Sequence, residues 1–175
     1  RYPGPQSFTE EDEQLFFGRN RETKALYDLI MVQPLVVLFA KSGMGKTSLL
    51  QAGIIPRLRF TEYDPLIFRL NDVAVSPEQQ VLGKIALAGA SDTTLWAEII
   101  HYNRENNSTP LLIFDQFEEL FTIYSDEQRA ALVRQLADVI NGTLPNSIRQ
   151  HILEGLEAGT LNTSAVVELE RKPRV

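Results

Sequence analysis

The stretch from Leu35 to Thr47 limits what this chain can fold into more than any other part of it. Leu35-Val36-Val37-Leu38-Phe39 is apolar throughout, the pattern of a strand buried on both faces of a parallel sheet. Ala40-Lys41-Ser42-Gly43-Met44-Gly45-Lys46-Thr47 follows it and fits the P-loop pattern, with alanine in place of the first glycine. Glycines at 43 and 45 let the backbone turn tightly, so that successive N–H groups converge on phosphate oxygens. A helix starting near Gly45 would point its positive end at the same anion. The Lys46 ammonium would reach the β- and γ-phosphates, and the Thr47 hydroxyl would ligate magnesium. A glycine-rich turn ahead of a helix can arise without any ligand. The strand before it and the helix after it select the phosphate-binding reading. Ser42, Gly43, Met44, Gly45, Lys46, Thr47 and Ser48 are therefore the candidate nucleotide contacts of this segment.

A second motif supports the first. Leu111-Leu112-Ile113-Phe114 is another apolar strand and delivers Asp115 at its carboxyl end, followed by Gln116-Phe117-Glu118-Glu119. A magnesium site beside a P-loop needs an aspartate placed in this way, so Asp115 is expected to hold the metal through a water. Glu118 or Glu119 would orient and polarise the attacking water. Phe117, Phe121 and Tyr124 have helical spacing and read as core packing.

The remaining elements frame these motifs. Residues 1–9 carry Pro3, Gly4 and Pro5 and read as an extended lead-in. A helix capped by Asn20 is expected to run to about Ile30, with Ala25, Leu26, Leu29 and Ile30 as its apolar face. The helix from Thr47 should weaken at Gly53 and Pro56, and Pro65 to Leu70 is a second strand. Helices follow over Pro77–Ala88 and Thr94–Arg104. Ser125 and Gln128 form a capping-box pair for a helix to about Ile140, buried through Leu132, Val133, Leu136 and Ile140. Beyond it, Ser147 caps a helix through Ala158, and Ala165–Leu169 reads as a fourth strand. Strands alternating with helices imply an α/β fold with a mainly parallel sheet flanked by helices, whose ligand edge lies at the strand carboxyl ends. Residues 1–31 form the lead-in and its helix, 32–140 the core, and 141–175 a tail. Together they read as one domain cut from a longer polypeptide.

Composition removes several classes. A net charge of −6 argues against a nucleic-acid partner, which needs a basic face. Without cysteine there is neither a disulfide framework nor a thiolate metal site. His101 and His151 stand far apart and read as surface residues. No apolar run approaches the ~20 residues of a membrane span, and no signal peptide opens the chain, so the expected address is cytoplasmic. There is no Asn-Lys-x-Asp guanine motif and no Leu-Ser-Gly-Gly-Gln transporter signature, and no arginine-rich lid suggests a small-molecule kinase.

A third motif, Phe16-Phe17-Gly18-Arg19-Asn20-Arg21-Glu22, precedes the P-loop. Phe-Gly-Arg-x-x-Glu before a P-loop, with Asp-Gln-Phe-Glu-Glu-Leu-Phe after an apolar strand, resembles the STAND class of signal-transduction ATPases. The bacterial novel STAND subgroup is the nearest, and Tyr2-Pro3-Gly4, Phe8 and Leu49-Leu50-x-Ala52-Gly53-x-x-Pro56 also match it; the resemblance covers about residues 2–125. It implies the three-layer sandwich of P-loop NTPases, with ATP or ADP and Mg2+ as cofactors, and it places Phe17, Gly18 and Arg19 against the base and ribose. It further implies a regulatory switch in signalling or defence that self-associates with ATP bound, resets by slow hydrolysis to ADP, and carries C-terminal sensor repeats of WD40 or TPR type. The family continues with a strand ending in Thr-x-Arg, whose arginine senses the γ-phosphate. Here the only candidate, Val166 to Arg174, contains Glu168-Leu169-Glu170-Arg171 and does not match. That departure keeps a second expectation open, a nucleotide-gated interaction module with little or no turnover.

Overall fold

The computed structural model describes residues 7–86 and 94–174 and divides into two compact units, Arg1–Pro65 and Leu66–Val175. In the first unit a short 3-10 turn, Glu10–Leu15, is fixed by a capping box between Thr9 and Asp12. Thr9 donates to Asp12 Oδ2 from its backbone N (2.9 Å) and its hydroxyl (3.0 Å). These bonds hold the Asp12 carboxyl below its ordinary value, the backbone bond contributing most. Helix α1 spans Asn20–Val32. Arg19, not Asn20, occupies its N-cap, with no side-chain cap bond, because the tight turn at Gly18 brings the chain into the helix one residue earlier. Of the expected apolar face only Leu26 is buried. Ala25 and Leu29 are exposed, and Thr23 is buried in their place.

After the P-loop a continuous helical run comprises α2 (Lys46–Ser48), a π-helical segment (Leu49–Ile54) and α3 (Ile55–Leu58). It passes through Gly53 and Pro56, where weakening is expected from the sequence. Pro56 lies within this run, near the start of α3, and its missing N–H leaves one carbonyl of the preceding turn without a helical donor. The wider π turn ahead of it takes up the change in backbone register.

The apolar run Leu35–Phe39 departs from expectation. It forms no strand ladder among the described residues, and Leu35, Val37 and Phe39 are exposed, Phe39 at 94%. Apolarity signals an affinity for burial. Ladder hydrogen bonds come from a neighbouring strand, which these residues do not encode.

The described sheet has two strands, the first of which begins in the last residues of the first unit. Strands β1 (Tyr63–Phe68) and β2 (Thr109–Phe114) pair in parallel. Helices α4 (Pro77–Ile85) and α5 (Leu95–Asn106) lie between them in sequence. Both are capped from the sequence: Ser76 Oγ accepts from Gln79 N (3.2 Å) and Thr94 Oγ1 from Ala97 N (3.2 Å). Helix α4, expected to reach Ala88, ends at Ile85 with Ala86 as an extended C-cap, and residues 87 and 88 lie outside the described residues. Beyond β2 come α6 (Glu119–Ile123), α7 (Asp126–Asn141), α8 (Asn146–Glu157) and α9 (Thr163–Glu170). The capping box of Ser125 and Gln128 opens α7 as expected. Its burial runs through Leu132 and Val139, while Val133 is exposed.

Helix α9 corrects the expected strand at Ala165–Leu169. Asn162 caps it, accepting from Ala165 N at 2.9 Å, and helical spacing packs Val166 and Leu169 against the core. A local cap and an i, i+3 apolar pair outweigh the strand preference of two valines. The core of this unit is built on Trp96, Leu95, Ile99, Val81, Ile85, Leu120 and Leu132. Each such buried side chain contributes about 1.5–3 kcal/mol before entropy is counted. Tyr124 joins it, its hydroxyl donating to Asp72 O (2.9 Å) and accepting from Gln80 Nε2 (2.7 Å). Phe117 is half-buried, but Phe121, expected in the core, is 60% exposed. His101 and His151 are exposed. Among the described residues no helix is long and apolar enough to cross a membrane.

Two helical glycines separate packing from propensity. A Cβ on Gly155 in α8 would lie 2.4 Å from Leu161 Cδ1 and 2.6 Å from its Cγ, whereas a Cβ on Gly83 in α4 meets nothing within 4 Å. Gly155→Ala is expected to destabilise by about 1–3 kcal/mol through overpacking. Gly83→Ala is expected to stabilise by about 0.5–1 kcal/mol. Urea denaturation of both variants checks the opposite signs.

Candidate functional site

In the first unit the P-loop turn is closed by Met44 N donating to Lys41 O (3.3 Å). Gly43 (φ 78°) and Gly45 (φ 74°) lie in the left-handed region. A Cβ on Gly43 would meet nothing within 4 Å, and one on Gly45 only Arg19 Nη1 at 3.9 Å. Backbone angle, not crowding, therefore requires glycine at both positions. Residues 41–44 are exposed, so the loop backbone is open to a ligand from solvent. Gly45 O accepts from Leu49 N (2.9 Å), which starts the helical run directly after the loop. Lys46 Nζ turns back and donates to Ala40 O (3.0 Å), tying the loop's exit to its entrance. Thr47 is partly buried and already hydrogen-bonded or otherwise engaged. Ser48 is buried, its hydroxyl accepting from Phe8 N (3.1 Å), so that side chain serves to dock the lead-in.

The Phe-Gly-Arg turn is built against this loop. Gly18 is left-handed (φ 84°), and beyond it Arg19 Nη1 donates to Met44 O (3.2 Å) while Arg19 Nε pairs with Glu22 Oε1 (3.0 Å). Thr23 anchors the same residue by donating to Arg19 O from its backbone N (2.9 Å) and hydroxyl (2.8 Å). Gly53 completes the packing, because a Cβ there would sit 3.1 Å from Thr23 Oγ1 and 3.3 Å from Phe16 Cε1. Of the three residues expected at the base, Arg19 is thus brought to the loop. Phe17 is 79% exposed.

In the second unit Asp115 follows β2 directly. Its backbone N donates to Phe68 O (2.9 Å), extending the β1–β2 pairing by one bond. Its side chain is 6% exposed and is gripped by Arg69, whose Nη2 and Nε lie 3.0 and 3.3 Å from Asp115 Oδ2. The chain then turns at Gln116, left-handed at φ 59°, and the bonds Glu119 N to Gln116 O (2.9 Å) and Leu120 N to Phe117 O (3.1 Å) lead into α6. Glu118 is exposed. Glu119 is partly buried, and its Oε2 is shielded with no hydrogen-bond partner among the described residues. An aromatic ladder supports the turn: Phe68 stacks on Phe114 (5.2 Å), Phe114 meets Phe117 edge-on (5.5 Å), and Phe117 meets Phe121 (6.0 Å).

Arg69 is the residue that the motifs do not reveal. The signal that finds it is topological: it follows β1 as Asp115 follows β2, and parallel neighbours bring such residues to one sheet edge.

Comparison with curated proteins and with solved structures finds no match. A family model described as Novel STAND NTPase 1 matches residues 2–167, which include the Phe-Gly-Arg turn, the P-loop and the Asp115 strand. With a match over that much of its 175 residues, the chain belongs to the Novel STAND NTPase 1 family and is a nucleotide-binding domain of STAND type.

Proposed function

We propose that this chain is the ATP- and magnesium-binding regulatory domain of a cytoplasmic STAND-type signalling or defence switch that hydrolyses ATP slowly to ADP. The observation that carries this reading is the Arg19–Met44 bond, which joins the family's Phe-Gly-Arg turn to the P-loop in one structure. In the proposed roles, Lys46 and the backbone of 42–47 hold phosphates, and Phe17, Gly18 and Arg19 contact the adenosine. Thr47 and Asp115 serve magnesium, and Glu118 and Glu119 serve water. The groups present suit such a ligand. The loop backbone is exposed, with open space at Gly43, and a hydroxyl and a carboxylate are the hard oxygen donors magnesium takes. Bound magnesium would neutralise charge on the phosphates, and the chain's own contribution is positioning. Self-association with ATP bound, and control by sensor repeats in a longer protein, belong to the same proposal.

One observation favours the second reading, an interaction module gated by ATP or ADP with little turnover. The segment that would have to deliver a sensor arginine on a strand is the helix α9. Loss of a charge-stabilising arginine costs about 10³- to 10⁵-fold in phosphoryl-transfer rate.

Calorimetric titration with ATP, ADP and GTP, with and without magnesium, is expected to show magnesium-dependent adenine-nucleotide binding. Lys46→Ala should weaken it by about tenfold or more, the scale of one charge-assisted contact. Unchanged affinity in that variant would sink the proposed site. In the full-length protein, Glu118→Gln/Glu119→Gln is expected to retain ATP binding and lose about 10²-fold in turnover. Equal, negligible turnover in both proteins would establish the module instead.

A further inference from the structure

The Asp115 side chain is almost wholly buried, a place where a carboxylate is costly unless it is paired and hydrogen-bonded. Arg69 pairs with it. Two guanidinium nitrogens converge on one carboxylate oxygen, Oδ2, at 3.0 and 3.3 Å. The backbone bond from Asp115 N to Phe68 O holds the residue's main chain at the end of the strand pair. The two partners are unequal: the Arg69 side chain is 51% exposed. Arginine can therefore release the carboxylate by swinging into water with little desolvation cost, whereas Asp115 has no such alternative.

We propose that Arg69 is a resident counter-ion that magnesium must displace from Asp115, so that the Arg69–Asp115 pair marks the metal-free state and opposes magnesium loading. This rests on the reading of Asp115 as the magnesium-serving carboxylate. The inequality in burial is what makes the pair an exchangeable one. A guanidinium locked on both sides would be structural, and an exposed carboxylate would need no substitute cation.

The test is the ratio of ATP dissociation constants measured calorimetrically in EDTA and in saturating magnesium, on the full chain. Metal no longer has to displace a guanidinium in Arg69→Gln, so the ratio is expected to rise about threefold to tenfold, the scale of a charge-assisted bond reduced by half-exposure. Arg69→Lys keeps a charge but loses the two-nitrogen grip, and it should raise the ratio by a smaller factor, about twofold. It also provides the measurement if Arg69→Gln does not fold. A merely structural arginine would change thermal stability and leave the ratio where it was. An unchanged or lower ratio in the arginine variants, with Asp115→Asn abolishing the magnesium dependence, overturns the displacement proposal and leaves Asp115 as the metal residue. A magnesium dependence that survives Asp115→Asn overturns both.

Discussion

A carboxylate buried at the end of a strand is the constraint around which the second unit is arranged. Asp115 sits where β2 stops, and every neighbouring feature makes its burial tolerable or fixes its direction. Phe68 O takes its backbone N–H, so the sheet register persists one residue beyond the strand. Arg69 supplies the charge. Gln116 adopts a left-handed angle that a non-glycine residue rarely takes, and that turn sends the chain into α6 without a longer loop. Behind the turn, the stack of Phe68, Phe114 and Phe117 gives the sheet edge a stiff floor. Leu120 then anchors α6 in the core beside Trp96 and Ile99. The strained residue and the buried charge are adjacent in sequence, and both depend on packing that comes from helices distant along the chain.

The first unit uses a different economy. Its loop needs positive φ at Gly43 and Gly45 and little else, and the surrounding contacts tie separate segments to it. Phe8 reaches Ser48, Arg19 reaches Met44, and Phe16 and Thr23 close over Gly53. The residues before the P-loop are thereby part of its framework. A larger side chain at 53 would push on Phe16 and Thr23 and, through Thr23's two bonds to Arg19 O, on the Phe-Gly-Arg turn.

What the sequence made legible follows from how local each signal is. Caps are local but slip easily: the Ser125–Gln128 pair opens α7 as expected, whereas Asn20 and Ser147, expected as caps, lie inside α1 and α8. The strands at β1 and β2 were also readable, β1 displaced by two residues and β2 begun two residues late but ended at Phe114, because apolar runs bounded by turn residues are short-range features. Pairing is not local. Leu35–Phe39 carries the composition of a central strand and forms no ladder among the described residues, because composition alone does not supply a neighbouring strand. Ala165–Leu169 failed in the opposite direction: two valines suggested a strand, and the Asn162 cap made a helix. Within helices the faces were only partly legible, since Leu29 and Val133 fit the period yet lie exposed. The site shows the same division. Gly43, Gly45, Lys46 and Asp115 belong to contiguous motifs, while Arg69 enters only through strand adjacency.

The two charged groups central to the proposed chemistry are each already engaged within their own unit, but by partners of different strength. Lys46 donates to the neutral carbonyl of Ala40, a bond worth about 0.5–1.5 kcal/mol net. A phosphate, which is charged and presents several acceptors, outcompetes a carbonyl readily. Asp115 is engaged by a full positive charge through two nitrogens, and bonds of that type reach about 1.5–3 kcal/mol. Any cation arriving at that oxygen trades one charge interaction for another and gains only the difference. If both exchanges accompany nucleotide binding, the phosphate step is the easy one and the metal step is finely balanced.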